Sequence, residues 1–275
     1  MVGPILLGIL LPAVLGAVAW GIGRRPWAAP LGMAAPLIAG SLSLWGWPGI
    51  PPRLAEGWLP FIAFVGLVTG LFDKRGKLNL PQLPGTLLLT CFAVFTVLTP
   101  RRAVWSNGEA IAWEAALGAA LLVLYGGLDT LSLRAGAGFP LAACLWSSAV
   151  AVALALTGSL KYAQLGGLPA AALGAAVVLS LFKPGIKLTG AAGTLAAWTG
   201  ALLLCGCFYS DLPASSACLL AATPIALCLG QLTWVTQRPG WLRVLIRSAL
   251  FALPVGAALL IAAWPTLTAA PGYSY

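Results

Sequence analysis

The chain is a succession of ten apolar runs, separated by short segments that contain proline, glycine or charged residues. A helix that crosses a bilayer needs about 20 mostly apolar residues, with a range of about 17–25. Helices are favoured in lipid because they satisfy every backbone polar group internally. The sequence therefore predicts an all-α, polytopic integral membrane helical bundle of about ten transmembrane helices. The predicted spans are 3–22, 28–46, 57–72, 83–99, 111–133, 138–158, 164–182, 188–208, 213–236 and 242–264, of which the third and fourth are short.

The charge content excludes an ordinary soluble domain. Only 8% of the residues are charged, whereas a soluble domain has roughly 25%. The net charge of +9 would suggest nucleic-acid binding in a soluble protein. In a membrane protein it instead indicates Lys and Arg kept in cytoplasmic loops. We therefore expect membrane lipids as partners and no nucleic acid.

The basic residues predict the orientation. With the N-terminus on the non-cytoplasmic side, eleven of the 15 basic residues fall in cytoplasmic loops. The four on the other side are Arg53, Arg101, Arg102 and Lys161, and Arg101-Arg102 violate the rule. The expected location is a bacterial inner membrane, with both termini on the non-cytoplasmic side.

Tryptophans support this orientation, because most lie near predicted interfaces. The inner set is Trp20, Trp27, Trp234 and Trp241, and the outer set is Trp45, Trp47, Trp58, Trp105, Trp113 and Trp264. Trp146 and Trp198 lie deeper in their spans, and we expect them to be packing residues.

Several chemistries lack the residues that they need. The chain has no histidine, its six cysteines lie in apolar runs, and its six carboxylates are mostly in loops. Cys205-Gly-Cys207 is a poor metal clamp, since residues two apart on a helix point to different faces. We therefore expect no enzyme activity, no cofactor and no metal site.

The sequence also contains an approximate repeat with a displacement of 110 residues. Leu71-Phe72 and Lys77-Leu78 recur as Leu181-Phe182 and Lys187-Leu188. The matches predict a tandem four-helix repeat, 1–110 and 111–220, with 221–275 as a terminal hairpin and partial third copy. Chance similarity within periodic membrane sequence, or an inverted pair of five-helix halves, remains an alternative.

Glycine and proline interrupt the third and seventh spans at corresponding places, which is typical of transporter binding sites. A solute pathway between these hairpins would be lined by Pro60, Thr69, Thr90, Pro169, Trp198 and Thr199. Four basic residues at inner helix ends are candidate contacts for anionic lipid headgroups: Lys77, Lys187, Arg243 and Arg247. For Arg243 and Arg247, snorkelling to the headgroups is the simpler explanation. The first role of Lys77 and Lys187 is to hold their turns in the cytoplasm.

Two functions fit these features. The first is a permease-like carrier of a small uncharged or amphiphilic solute, suggested by the paired interrupted helices. The second is a non-catalytic structural or scaffold subunit of a membrane complex with protein partners, suggested by the scarcity of charge within the spans. A polar cavity between the third/fourth and seventh/eighth helices would favour the permease. A solid interior with a broad apolar outer face would favour the scaffold.

Overall fold

A computed structural model describes residues 6–22, 27–72, 83–135, 138–182, 188 and 190–268. These residues are 87% helical and include no strand, which confirms the predicted all-α fold. The long helices are α1 (Leu11–Gly21, after a π-helical turn at Leu6–Leu10), α2 (Ala28–Trp45), α3 (Leu59–Phe72, after a 3₁₀ turn at Ala55–Trp58), α4 (Leu83–Arg102), α5 (Asn107–Arg134), α6 (Gly138–Leu156), α7 (Leu160–Phe182), α8 (Ala191–Tyr209), α9 (Ala214–Leu229) and α10 (Gly240–Thr268). A single turn, Thr233–Thr236, lies between the last two.

Eight of these helices are long and apolar enough to cross a membrane, so the chain is a multi-pass membrane protein. The other two, α1 and α9, are apolar but shorter. The prediction that the fourth span is short was wrong, because α4 continues through Pro100 to Arg102. The ninth was predicted too long, since its helix ends at Leu229 and Gly230 begins a turn.

Helix α8 forms the centre of the bundle. Of its 19 residues, 14 are buried, and it packs against α2, α3, α4, α5, α6, α7 and α9. At the other extreme, α10 buries only Val255, Ala258 and Ala262, and it packs mainly on α9 and α6. The exposed apolar side chains of α10 therefore form a broad outer face suited to lipid.

Glycines let α3 approach α8 closely. A Cβ at Gly66 would lie 2.9 Å from the Cα of Thr194, and one at Gly70 would lie 2.5 Å from the carbonyl oxygen of Gly190. Gly190 itself has a φ of 85° at the start of α8. Small residues at such crossings allow the backbone contact that holds membrane helices together.

Three tryptophans are almost completely buried between helices: Trp20, Trp146 and Trp198. The expectation that Trp146 and Trp198 are packing residues is confirmed. Trp20, which the sequence places near the inner interface, is also buried, because Gly32 in the neighbouring helix leaves room for its ring. Its depth in the membrane stays a prediction.

The charged turns that revealed the repeat lie largely outside the described residues. This applies to Lys77 and Lys187, which were candidate lipid contacts. Corresponding helices have different neighbours in places, since α1 packs on α2 and α7 whereas α5 packs on α8, α4 and α9. The division into 1–110, 111–220 and 221–275 stays a prediction.

Candidate functional site

An open cleft of about 900 Å³ lies at the predicted outer end of the bundle. Its walls are the C-terminal end of α2, the α2–α3 connection and the first turns of α3 and α7. The connection cannot continue either helix, because Gly46 has a φ of 74° and Pro48, Pro51 and Pro52 follow. The volume of the cleft falls in the range of about 300–1,000 Å³ that is usual for small-molecule sites.

An ion pair joins two walls of this cleft. The Nζ of Lys161, in α7, lies 2.7 Å from Oε1 of Glu56, in the 3₁₀ turn before α3. The hydroxyl of Tyr162 donates to Oε2 of Glu56 at 3.4 Å, and the Lys161 ammonium lies 4.7 Å from the centre of the Trp45 ring. The side chains of Glu56 and Lys161 are only 14% and 32% exposed. Partial burial makes this pair costly to break, because either partner alone would keep an uncompensated charge.

Arg53 is the third charged residue of the cleft. It is exposed on the α2–α3 connection. Among the described residues, its guanidinium has no hydrogen-bond or ion-pair partner. The lining therefore combines one neutralised pair with one surplus positive charge.

Apolar side chains border the same cleft. Trp45, Ile50 and Leu54 line it and are 47%, 76% and 60% exposed. Trp47, on the same connection, is 65% exposed. Exposed apolar and aromatic side chains at a membrane interface contact lipid. At the predicted interface, this border of the cleft would face the edge of the bilayer.

A second cavity, of about 400 Å³, lies at the predicted inner end. It is bounded by α3, α4, α5 and α8, and its polar lining includes Thr69, Thr86 and Tyr125. It is close to the place where the repeat predicted a solute site, and its described lining includes residues on both sequence flanks of 73–82, a segment outside the described part.

The six predicted pathway residues do not share one cavity. Pro60 lines the outer cleft and Thr69 the inner cavity. The remaining four are buried in helix packing: Thr90, Pro169, Trp198 and Thr199. The sequence did not single out Arg53, Glu56, Lys161 or Trp45 as one site. The signal that could have identified this site was the presence of an acid, Glu56, and a base, Lys161, in two predicted outer segments 105 residues apart.

The outer arginines that violated the charge rule have specific partners. Arg101 donates to the carbonyl oxygen of Phe208 at the end of α8, and its guanidinium lies 5.5 Å from the ring centre of Tyr209. Arg102 forms an ion pair of 2.6 Å with Glu114. These contacts hold the end of α4 to α8 and α5, so both arginines have a structural role.

The two described lipid candidates bind protein carbonyls. Arg247 donates through Nε to the carbonyl of Gly230 at 3.0 Å, and through a terminal nitrogen to Oε1 of Gln231 at 2.9 Å. Arg243 donates to the carbonyl of Arg238 at 3.2 Å. Arg247 thus satisfies a backbone acceptor released at the end of α9, while a lipid contact by either arginine stays a prediction.

Comparison of the chain with protein-family models, with curated proteins and with solved structures returns no match. The functional assignment must therefore come from the geometry of the cleft.

Proposed function

We propose that this protein is a permease-like carrier of a small amphiphilic or uncharged solute, which it admits through the outer cleft. The main support is the cleft itself. It is of ligand size and brings three charged side chains together at one end of the bundle, in a chain of which only 8% of the residues are charged. A mostly apolar pocket with a few convergent polar groups is the usual form of a small-molecule site.

The packing of the bundle adds support to this proposal. The cleft lies between α2 and α7, and both helices also contact the central helix α8. A displacement of α7 relative to α2 would alter the Lys161–Glu56 pair at the cleft and the packing around α8 together. Rocking of one helix group against another is the usual route to alternating access. No enzymatic step is part of the proposal.

For the membrane, we propose a bacterial inner membrane, with both termini on the non-cytoplasmic side. Two of the four basic residues on the proposed outer side, Lys161 and Arg102, are paired with carboxylates. This pairing gives Lys161 and Arg102 a structural role at that end. The orientation itself is supported by the excess of Lys and Arg in the loops on the cytoplasmic side.

The carrier proposal is tested by flux in proteoliposomes. An NBD-labelled single-chain alkyl phosphate is placed in both leaflets, and dithionite is added to quench the outer label. A carrier should let quenching pass the one-half plateau of protein-free vesicles. A plateau that stays at one half, for this probe and for labelled neutral alkyl glycosides, would contradict the proposal.

Blocking the cleft makes this test specific. Leu54→Cys introduces a thiol on the cleft wall, whereas Val104→Cys introduces one at an exposed outer position away from it. A bulky, membrane-impermeant maleimide should stop flux through L54C and leave V104C unchanged. The wild-type protein, treated in the same way, controls for the native cysteines. Equal inhibition of both variants would show that the flux does not pass through the cleft.

A scaffold subunit is the second candidate, and the exposed face of α10 favours it. Only three of the 29 residues of α10 are buried, so this helix offers a long surface to lipid or to another membrane helix. The scaffold proposal predicts a stoichiometric membrane partner after mild solubilisation and loss of that partner on substitution of the α10 face. Purification of the chain alone with full flux activity would contradict it.

A further inference from the structure

We infer that the outer cleft selects amphiphiles with a negatively charged headgroup, and that Arg53 is the residue that recognises this charge. The inference rests on the proposed function, because it takes the cleft as the solute site. It goes further by assigning the charge of the ligand and the residue that reads it.

The charge balance of the lining is the first argument. The charged side chains of the cleft are Arg53, Glu56 and Lys161. Glu56 and Lys161 neutralise each other at 2.7 Å, so the formal surplus is the one positive charge of Arg53. A negatively charged headgroup would offset this surplus, and a monoanion such as a carboxylate would leave the occupied cleft neutral. A cationic ligand would add to a positive site next to a low-dielectric membrane, where like charges repel strongly.

The second argument is the availability of donors. The ammonium of Lys161 is held by the Glu56 carboxylate and lies over the Trp45 ring. In the described part of the chain, by contrast, the guanidinium of Arg53 has no such partner. A guanidinium presents its donors in a planar fork that matches a carboxylate or a phosphate. Arg53 is therefore the group in the cleft that is ready to bind an anion.

The third argument is the apolar border. Trp45, Ile50 and Leu54 line the cleft and remain substantially exposed. An alkyl chain lying on these side chains would be removed from water at about 0.8 kcal/mol per buried CH₂. An anion without an apolar body would gain only the contact to Arg53. The cleft therefore fits an anionic amphiphile better than inorganic phosphate or a short carboxylate.

The test measures binding separately from transport. The wild-type protein is placed in nanodiscs of zwitterionic lipid and titrated calorimetrically with octyl phosphate, octanoate, octyltrimethylammonium and inorganic phosphate. Titrations of empty nanodiscs are subtracted to remove partitioning. The two alkyl anions should bind saturably and at least about tenfold more tightly than the alkyl cation. Inorganic phosphate should also bind at least about tenfold more weakly, because it lacks the chain.

Variants assign the recognition to Arg53. Arg53→Gln should weaken the binding of octyl phosphate by about tenfold or more, the loss expected for one charge-assisted hydrogen bond. Arg53→Lys should restore much of the affinity. The double variant Glu56→Gln/Lys161→Gln removes the ion pair but keeps the surplus charge, so it should retain the preference for anions. Arg238→Gln, at an exposed arginine distant from the cleft lining, is the matched control and should change nothing.

Several results would overturn the inference. Unchanged binding by R53Q, or loss of binding only in the double variant, would transfer recognition to Lys161. Equal binding of octyl phosphate and inorganic phosphate would show that the alkyl chain contributes nothing, and would reject an amphiphile as the ligand. Binding without flux would support this inference and reject the carrier proposal. Flux without saturable binding that depends on Arg53 would support the carrier and reject this inference.

Discussion

The indole Nε1 of Trp198 donates a hydrogen bond of 3.2 Å to the carbonyl oxygen of Leu165. In an uninterrupted helix, this carbonyl would accept from the backbone N–H four residues later. That residue is Pro169, which has no N–H. A side chain of the central helix α8 thus satisfies the acceptor that a proline leaves free in α7.

The same relationship recurs elsewhere in the bundle. Trp146, in α6, donates at 2.8 Å to the carbonyl of Leu220, four residues before Pro224 in α9. An unpaired buried carbonyl is expensive in lipid. Each tryptophan therefore ties a proline-interrupted helix to a neighbour at one specific position.

We predict that Trp198→Phe destabilises the protein by about 1–3 kcal/mol through the unpaired carbonyl, in addition to the lost packing. Adding Pro169→Ala should recover about 1 kcal/mol or more, since the new backbone N–H can bind the Leu165 carbonyl. Reversible unfolding in mixed detergent–SDS micelles measures both effects. Combining P169A with Trp146→Phe is the mismatched control and should give no such recovery. Additive behaviour of W198F and P169A would contradict the relationship.

These pairs show what the sequence could and could not predict. Because lipid requires continuous apolar helices, the helix positions followed from hydropathy and punctuation to within a few residues at most ends. The free carbonyls could also have been located, four residues before Pro169 and Pro224. Which tryptophan reaches each carbonyl depends on the lateral order of the helices, and hydropathy contains no information about that order.

The outer cleft was missed for a related reason. Lys161 and Glu56 looked like isolated interfacial charges, and their pairing depends on α7 lying beside the α2–α3 connection. The predicted pathway instead followed glycine and proline, which in Pro169 and Gly66 mark helix packing. At these two positions, a glycine or proline within a predicted span marks a contact between helices and not a cavity.

Close packing of α3 on α8 makes a second prediction. Gly70→Ala places a Cβ 2.5 Å from the carbonyl oxygen of Gly190, so the two backbones must separate. We expect a loss of about 1–3 kcal/mol, typical of overpacking, measured as a lower thermal unfolding midpoint in detergent. Gly118→Ala is the matched control, since a Cβ there meets nothing within 4 Å. If both variants melt at the wild-type temperature, the contact is not a tight one.

The Lys161–Glu56 pair makes a third prediction. Lys161→Gln and Glu56→Gln should each destabilise the fold by about 1–3 kcal/mol, which is less than for a fully buried pair because both side chains keep some exposure. The double variant should cost less than the sum, because neither charge is then left alone. A double-mutant cycle on unfolding midpoints measures the coupling. Strict additivity would show that the pair contributes nothing to stability.

Membrane topology provides the fourth prediction, and it also tests the short helix α9. Val104 and Gln237 are exposed positions in the connections before α5 and after α9. Five helices, α5 to α9, separate them, so the two positions lie on opposite sides if all five cross the bilayer and on the same side if one of them does not. The 16 residues of α9 extend about 24 Å, somewhat less than the hydrocarbon core of about 30 Å. Local thinning of the bilayer can accommodate this difference at modest cost.

We therefore expect an impermeant maleimide to label Val104→Cys on intact cells and Gln237→Cys only after permeabilisation, with the wild-type protein as the control for native cysteines. The reverse pattern would invert the orientation. Labelling of both from one side would show that an odd number of these helices does not cross, and α9 is the shortest of the five.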